Sequence, residues 1–263
     1  AGAATHSPLN QEKPERMKSI AQLFHRGTGR NQLNLFLLDE DYDAAIAEID
    51  SHPNEVTLWS TREGFFDGST SAQVLPLHVA VSLRAPLYAI RAIVEAYPTA
   101  LGVKETSFKR LPLHISTQFG CCFDVVQYLV EQYPAAALEA DTLGRLPIHY
   151  SCSNGAPLPI IRTLLQANSA ATLYSDYRGW LPLHVAIHFG AETDVIRQFL
   201  VSCPAAACLK TKKGSTALSL AEKVSTKNNA EVLALIRSAN QTAAKPSHDR
   251  RSPPPKRSMP AAA

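Results

Sequence analysis

The stretch LPLHVA at 75–80 returns as LPLHIS at 111–116, LPIHYS at 146–151 and LPLHVA at 181–186. Its prolines, Pro76, Pro112, Pro147 and Pro182, are spaced 36, 35 and 35 residues apart, and 35 further on Ala217 lies in TALSLA, a degenerate fifth copy. A second marker keeps step. YPTA from Tyr97, YPAAA from Tyr133, NSAAT from Asn168 and CPAAA from Cys203 place Pro98, Pro134, Ser169 and Pro204 each 22 residues after the motif proline. A third is glycine, at Gly120, Gly155 and Gly190, six residues after the motif histidine. Three markers on one period define a repeat array, and that decides how every local segment is read.

One unit, residues 111–145, reads as two helices and a connector. Pro112 suits a first helical turn, where its missing N–H costs no bond. Gly120 permits the reversal that ends this short helix. A second helix follows with Val125, Val126, Leu129 and Val130 apolar at helical spacing. Pro134 stops it, because the residue before a proline is excluded from the helical region. Residues 135–145 are expected to be an extended connector with a turn at DTLG. The apolar face of such a pair is too broad to bury alone and demands stacked neighbours.

These features together resemble the ankyrin repeat: LPLHxA, a glycine six residues after the histidine, D-x-x-G before the next motif, and a two-helix unit. The usual motif is TPLHxA. Here leucine replaces the leading threonine, and the period is 35 rather than 33 through one residue added before the second helix and one after it. The resemblance covers about residues 75–238. It implies an all-α ankyrin-type solenoid of stacked antiparallel helix pairs with short hairpin-like connectors. It also implies that His78, His114, His149 and His184 hydrogen-bond to connector backbone. With Pro76, Pro112, Pro147 and Pro182 they form the structural signature. One histidine per unit makes a ladder, whereas a metal needs three or four ligands around one point.

The expected organisation is a mostly disordered segment over 1–30, a divergent capping repeat with a long finger over 31–74, and four repeats over 75–110, 111–145, 146–180 and 181–215. A C-terminal cap over 216–240 and a disordered basic, Pro-rich tail over 241–263 complete it. In the first cap Ala45, Ile46 and Ile49 supply the apolar stripe and Pro53 the stop, and the finger contains Trp59, Phe65, Phe66 and a turn at DGST.

Composition bounds the function. The chain of 263 residues carries a net charge of +3, but Lys245, Arg250, Arg251, Lys256 and Arg257 against Asp249 put +4 at residues 239–263, leaving −1 for residues 1–238. A broad nucleic-acid face is not expected on such a body. Cys121, Cys122, Cys152, Cys203 and Cys208 are odd in number and form no CxxC, so reduced thiols and a cytoplasmic or nuclear location are expected. No apolar run has the length of a membrane span. The chain starts at Ala1 without Met, so an upstream segment is expected to have been cut away or omitted. That keeps open an alternative reading, an ankyrin segment of a larger enzyme or channel whose catalytic part lies outside this chain.

No catalytic constellation, metal set or cofactor motif is present: GxSxG, a P-loop and HExxH are all absent. Asp39, Glu40, Asp41 and Asp43 cluster where they favour a helix N-terminus. The Cys121–Cys122 pair reads either as packing or as an exposed thiol of lowered pKa at a helix entry. RRSPPPKR reads as a disordered end, an import signal, a Pro-rich ligand or a phosphosite at Ser252. The resemblance instead implies a concave recognition surface for a protein partner of a monomeric chain. Its turn tips would supply Leu143, Arg145, Tyr177, Arg178, Trp180, Lys212 and Lys213. The ends of its first helices would supply Gln118, Phe119, Ser153, Asn154, His188 and Phe189. Aromatic residues with arginine are the types that dominate binding hot spots. The competing reading is that Tyr177 and Trp180 only cover neighbouring connectors.

Overall fold

A computed structural model describes residues 31–66, 71–224 and 229–244. The segments expected to be disordered, over 1–30 and most of 241–263, and the DGST turn at 67–70 lie outside the described residues.

The described chain is mostly helical. Its α-helices are α1 (Gln32–Leu38), α2 (Tyr42–Ser51), α3 (Pro76–Ser82), α4 (Leu87–Ala96), α5 (Pro112–Phe119), α6 (Phe123–Gln132), α7 (Pro147–Ser153), α8 (Leu158–Ala167), α9 (Pro182–His188), α10 (Thr193–Ser202), α11 (Ala217–Ala221) and α12 (Asn229–Ala244). Two short strands, β1 (Ser60–Glu63) and β2 (Ser71–Val74), pair antiparallel with Ser60 opposite Val74 and Glu63 opposite Ser71. The stretch expected to form a long finger therefore contains an antiparallel strand pair. The final helix runs to Ala244, four residues past the boundary the sequence suggested at Asn240.

Each short first helix starts the same way. A leucine in extended conformation (Leu75, Leu111, Leu146, Leu181) precedes a proline at the first helical position. These leucines are buried, each contributing about 2 kcal/mol by leaving water. That accounts for leucine at a position where threonine would cap: the site belongs to the core. The degenerate fifth copy does cap by hydroxyls, since Thr216 Oγ1 accepts the Ser219 N–H (3.2 Å) and Ser219 Oγ accepts the Thr216 N–H (2.9 Å).

The first helices reverse through a left-handed residue. Gly120, Gly155 and Gly190 have φ of 73°, 66° and 69°, but the first full unit uses Arg84 (φ 57°) at this point. Each ten-residue second helix then ends one residue before the second marker. Residues 134–138 form a 3₁₀ turn, not the start of an extended connector, and the same turn recurs at Pro98–Gly102, Ser169–Leu173 and Pro204–Cys208. Proline presets φ for such a turn and the small alanines that follow leave room for it. The extended path begins only at Glu139 (φ −74°, ψ 134°).

Packing is between neighbours. The first helices touch in the order α1, α3, α5, α7, α9, α11, and the second helices in the order α2, α4, α6, α8, α10, α12. One face of each second helix is buried, as with Ile90 and Ile93, Val126 and Leu129, Ile161 and Leu164, and Ile196 and Phe199. Helix α12 packs against α10 and the 3₁₀ turn Pro204–Cys208 that follows it, with Val232, Ile236 and Ala239 buried. Among the described residues no helix is long and apolar enough to cross a membrane.

Candidate functional site

The motif histidines occupy the third position of each first helix. Their Nδ1 atoms accept the backbone N–H of Leu75 (3.0 Å), Leu111 (3.2 Å), Leu146 (3.1 Å) and Leu181 (3.2 Å). Their Nε2 atoms lie 3.0 Å from the Val103 carbonyl and 3.2 Å from those of Arg145, Trp180 and Leu209. A backbone N–H cannot accept and a carbonyl cannot donate, so each ring is neutral with its proton on Nε2. Burial pushes His78, His114 and His149 down to about 4 and lowers His184 too. Each imidazole thus ties a helix start to its connector. Among the described residues no group of three or more His, Cys, Asp or Glu side chains could hold a metal ion.

A second ladder closes the connector tips. Asp141 Oδ1 accepts the N–H groups of Leu143 (2.8 Å) and Arg145 (2.9 Å), and Asp176 Oδ1 those of Arg178 (2.9 Å) and Trp180 (2.8 Å). Glu105 does the same work for Ser107, Phe108 and Arg110, and Thr211 Oγ1 for Ser215. The turns pass through left-handed residues, Gly144, Gly179 and Gly214, with Lys109 (φ 59°) in the first. Successive tips are hydrogen-bonded to one another. Thr142 donates to the Phe108 carbonyl (2.9 Å), Tyr177 to Leu143 (3.1 Å) and Lys212 to Arg178 (3.1 Å). The tips therefore form a rigid row.

Arginine links the first tips through side chains. Arg110 Nε is 3.2 Å from Asp141 Oδ2, and Arg145 Nε is 3.4 Å from Asp176 Oδ2. Arg110 is almost wholly enclosed: its guanidinium lies 4.6, 4.4 and 4.7 Å from the ring centroids of Phe66, Phe108 and Tyr150, and it donates to Gln118 Oε1 (2.8 Å). Tyr150 donates its hydroxyl to Asp141. Burial works to raise the Asp141 carboxyl, but these donors, Tyr150 foremost, together hold it below the usual carboxylate range.

The residues proposed from sequence divide accordingly. Gln118 is occupied by Arg110, and Phe119 is half-buried with its ring 6.5 Å from Phe65 of the finger. Ser153 donates to the Tyr150 carbonyl and Asn154 to that of Thr117. Arg145 is spent on Asp176. Leu143, Tyr177, Arg178, Phe189, Lys212 and Lys213 are exposed, Tyr177 to 65%. Trp180, His188 and Phe189 come together, with Trp180–His188 and His188–Phe189 centroids each 5.1 Å apart and edge to face. Tyr177 also lies over Gly144, where an added Cβ would sit 2.6 Å from its ring. Both readings of this tyrosine therefore have a basis: it covers the neighbouring turn and remains open to solvent.

No protein-family model matches the chain, and no curated protein matches it.

Sequence reasoning missed the Arg110 cage and Glu105, and it marked Asp141 and Asp176 through D-x-x-G without assigning them the tip N–H groups. Glu105, Asp141, Asp176 and Thr211 stand 36, 35 and 35 residues apart, the period of the prolines, so their signal was present. The thiol at Cys121 is buried and pushed up to about 12, chiefly by that burial, which removes it as a candidate of lowered pKa. Its sulfur donates to the Val81 carbonyl (3.2 Å). Among the described residues the cysteines are free.

Charge is unevenly placed. Residues 31–66 hold eight carboxylates (Asp39, Glu40, Asp41, Asp43, Glu48, Asp50, Glu55, Glu63) against Arg62. At the other end Arg178, Lys210, Lys212, Lys213 and Lys223 are exposed and, among the described residues, make no ion pair. Glu222 stands beside them. Glu192 and Asp194 open α10, where Asp194 is 3.6 Å from Arg197.

Proposed function

We propose that this chain is an ankyrin-type repeat protein: a solenoid of stacked helix pairs that acts as a non-catalytic protein-recognition module. The observation that carries this reading is the tip row. Its backbone is cross-linked turn to turn, so the side chains on it are held with little ordering left to lose on binding, and rigidity of this kind favours affinity. On that row and the adjoining ends of the first helices, Tyr177, Arg178, Trp180, His188, Phe189, Lys212 and Lys213 offer the aromatic and cationic mixture of binding hot spots.

The reading takes the chain as monomeric, without cofactor, and resident in the cytoplasm or nucleus, where five thiols stay reduced. It assigns the motif histidines to architecture alone. The leading leucine and the longer period are variations within a unit that still joins helix, helix and tip.

The test compares proteins captured by the full chain with those captured by a Tyr177→Ala, Phe189→Ala double variant. Both residues are exposed, so folding, checked by circular dichroism, should be retained. A recognition surface at the tips predicts at least one partner whose measured affinity drops by ten- to a hundredfold, about 1.4 to 2.7 kcal/mol. Partners bound equally by both proteins, through the outer faces of the second helices, would refute the placement.

A further inference from the structure

Two kinds of side chain are left unspent on the C-terminal part of the tip row. The arginines at the base of the first tips are consumed, Arg110 by Asp141 and Arg145 by Asp176. Arg178, Lys212 and Lys213, on the next two tips, are exposed and unpaired among the described residues. The tip carboxylate that precedes them, Asp176, is buried and turned inward onto backbone N–H groups. The tip at 211–215 has Thr211 in that position and no carboxylate of its own. The outer surface of these two tips is consequently positive with no counter-charge on the tips themselves.

Beside it, Trp180, His188 and Phe189 form one edge-to-face cluster, and the Phe189 ring is half exposed. The equivalent phenylalanine one repeat pair earlier, Phe119, is partly covered by Phe65 of the finger. Of these two equivalent phenylalanines, the one beside the later cations is thus the more open.

We propose that this region binds an acidic linear segment of a partner protein, with its carboxylates on Arg178, Lys212 and Lys213 and an apolar side chain seated against the Trp180–His188–Phe189 cluster. The inference rests on the recognition reading above and adds the chemistry of the occupant. An extended segment suits the surface because the cations come from successive tips rather than from one pocket. A guanidinium and two ammonium groups on rigid turns complement carboxylates and steer their approach. A nucleic acid fits less well. The cations of the last two tips are separated from Lys109 of the first tip by the Asp141 tip, whose Arg145 is paired with Asp176, so the row offers a phosphate chain no continuous line of charge, and residues 31–66 carry eight carboxylates against Arg62.

The experiment selects binders to the full chain from a displayed library of random short peptides. Recovered sequences are remade with a fluorescent label and titrated by anisotropy. The variants are an Arg178→Glu, Lys212→Glu, Lys213→Glu triple, its milder Gln counterpart, and Phe189→Ala, each checked for unchanged thermal unfolding. The expected result is enrichment of Asp and Glu around a Leu, Phe or Trp. The Glu triple should weaken binding more than tenfold, the Gln triple and Phe189→Ala severalfold, and added salt should weaken it too. Peptides that lack acidic enrichment, yet are lost from Phe189→Ala, would overturn the acidic occupant and leave the recognition surface standing. No binder, or binders indifferent to every variant, would overturn both. A labelled single-stranded oligonucleotide that displaces the peptides and binds more tightly would replace the protein segment by nucleic acid.

Discussion

Acidification destabilises this fold through its motif histidines, because the unfolded chain takes their protons at a higher pH than the folded chain does. In an unfolded chain an imidazole titrates near 6.5; in the fold, His78, His114 and His149 are held at about 4 because protonation would bury a charge and turn an Nδ1–H against a leucine N–H. A folded value below the unfolded one means that the unfolded chain takes the proton first. Stability is therefore fully present above about pH 6.5 and is lost as the pH falls toward about 4. At pH 5 the linkage for one such group is about 2 kcal/mol, against about 0.2 kcal/mol at pH 7. Three groups remove on the order of 5 kcal/mol between those values, and His184, shifted in the same direction, adds to the loss. That approaches the whole stability of an ordinary domain. Urea unfolding followed by circular dichroism at pH 7, 6 and 5 measures it directly. A His149→Asn variant should be less stable at pH 7 by about 2 kcal/mol, yet show a shallower pH dependence, because about one proton fewer is taken up on unfolding. Equal stability at pH 7 and pH 5, or an unchanged slope in the variant, would refute the reasoning. So would assigned ring proton resonances of His78, His114 or His149 that titrate near 6.5 in the folded protein.

The other predictions concern the tips. Arg110→Ala leaves the Asp141 carboxylate and three aromatic faces without their cation and should cost about 3 kcal/mol or more, read as a lowered urea midpoint; an unchanged midpoint would mean that the cage is ornamental. Tyr150→Phe removes one donor from Asp141 and should cost about 1 to 2 kcal/mol. Lys109→Gly relieves a left-handed residue that the later tips fill with glycine, so melting should rise by the equivalent of up to about 1 kcal/mol. Gly144→Ala puts a Cβ against the Tyr177 ring at a φ of 71°. In a double-mutant cycle Tyr177→Ala should rescue the collision but not the backbone strain, leaving roughly 1 kcal/mol.

What could be read from sequence was whatever repeats. Proline, histidine and glycine recur in step because each fills a backbone role that a neighbour cannot share: a donor removed, two backbone groups bridged, a left-handed reversal. The 3₁₀ turns were missed although they recur, since Pro-Ala-Ala is compatible with both an extended path and a tight turn, and only the Ala136 N–H on the Tyr133 carbonyl (3.0 Å) distinguishes them. Arg110 was missed for a different reason. Its cage is assembled from Phe66, Phe108, Asp141 and Tyr150, which belong to four successive segments and occur in this combination once. Arg145 was read as a binding residue from its tip position. The acid 31 residues further on is its partner, a pairing that becomes visible only when one tip is known to rest on the next.

Phe119 and Phe189 show how an insertion can divide a surface that periodicity makes uniform. They hold the same phase at the ends of α5 and α9, yet one is half-buried and the other half exposed. The cause is the finger of the first cap. Phe65 reaches Phe119, while Phe66 meets Phe108 at 5.2 Å and roofs Arg110 at 4.6 Å. The finger thus packs on the first tip and the end of α5, and engages Phe108, Arg110 and Phe119 internally. Beyond its reach the chain changes the residues themselves. The base of the tip passes from Arg110 and Arg145 to Trp180 and Ser215, and the acid facing it from Asp141 and Asp176 to Thr211. Once arginine and aspartate no longer neutralise each other, the lysines of the last tip stand without counter-charge beside an uncovered ring cluster. The long finger and the altered final tips are complementary features: one engages Phe108, Arg110 and Phe119 at the start of the row, and the other leaves its end basic and aromatic.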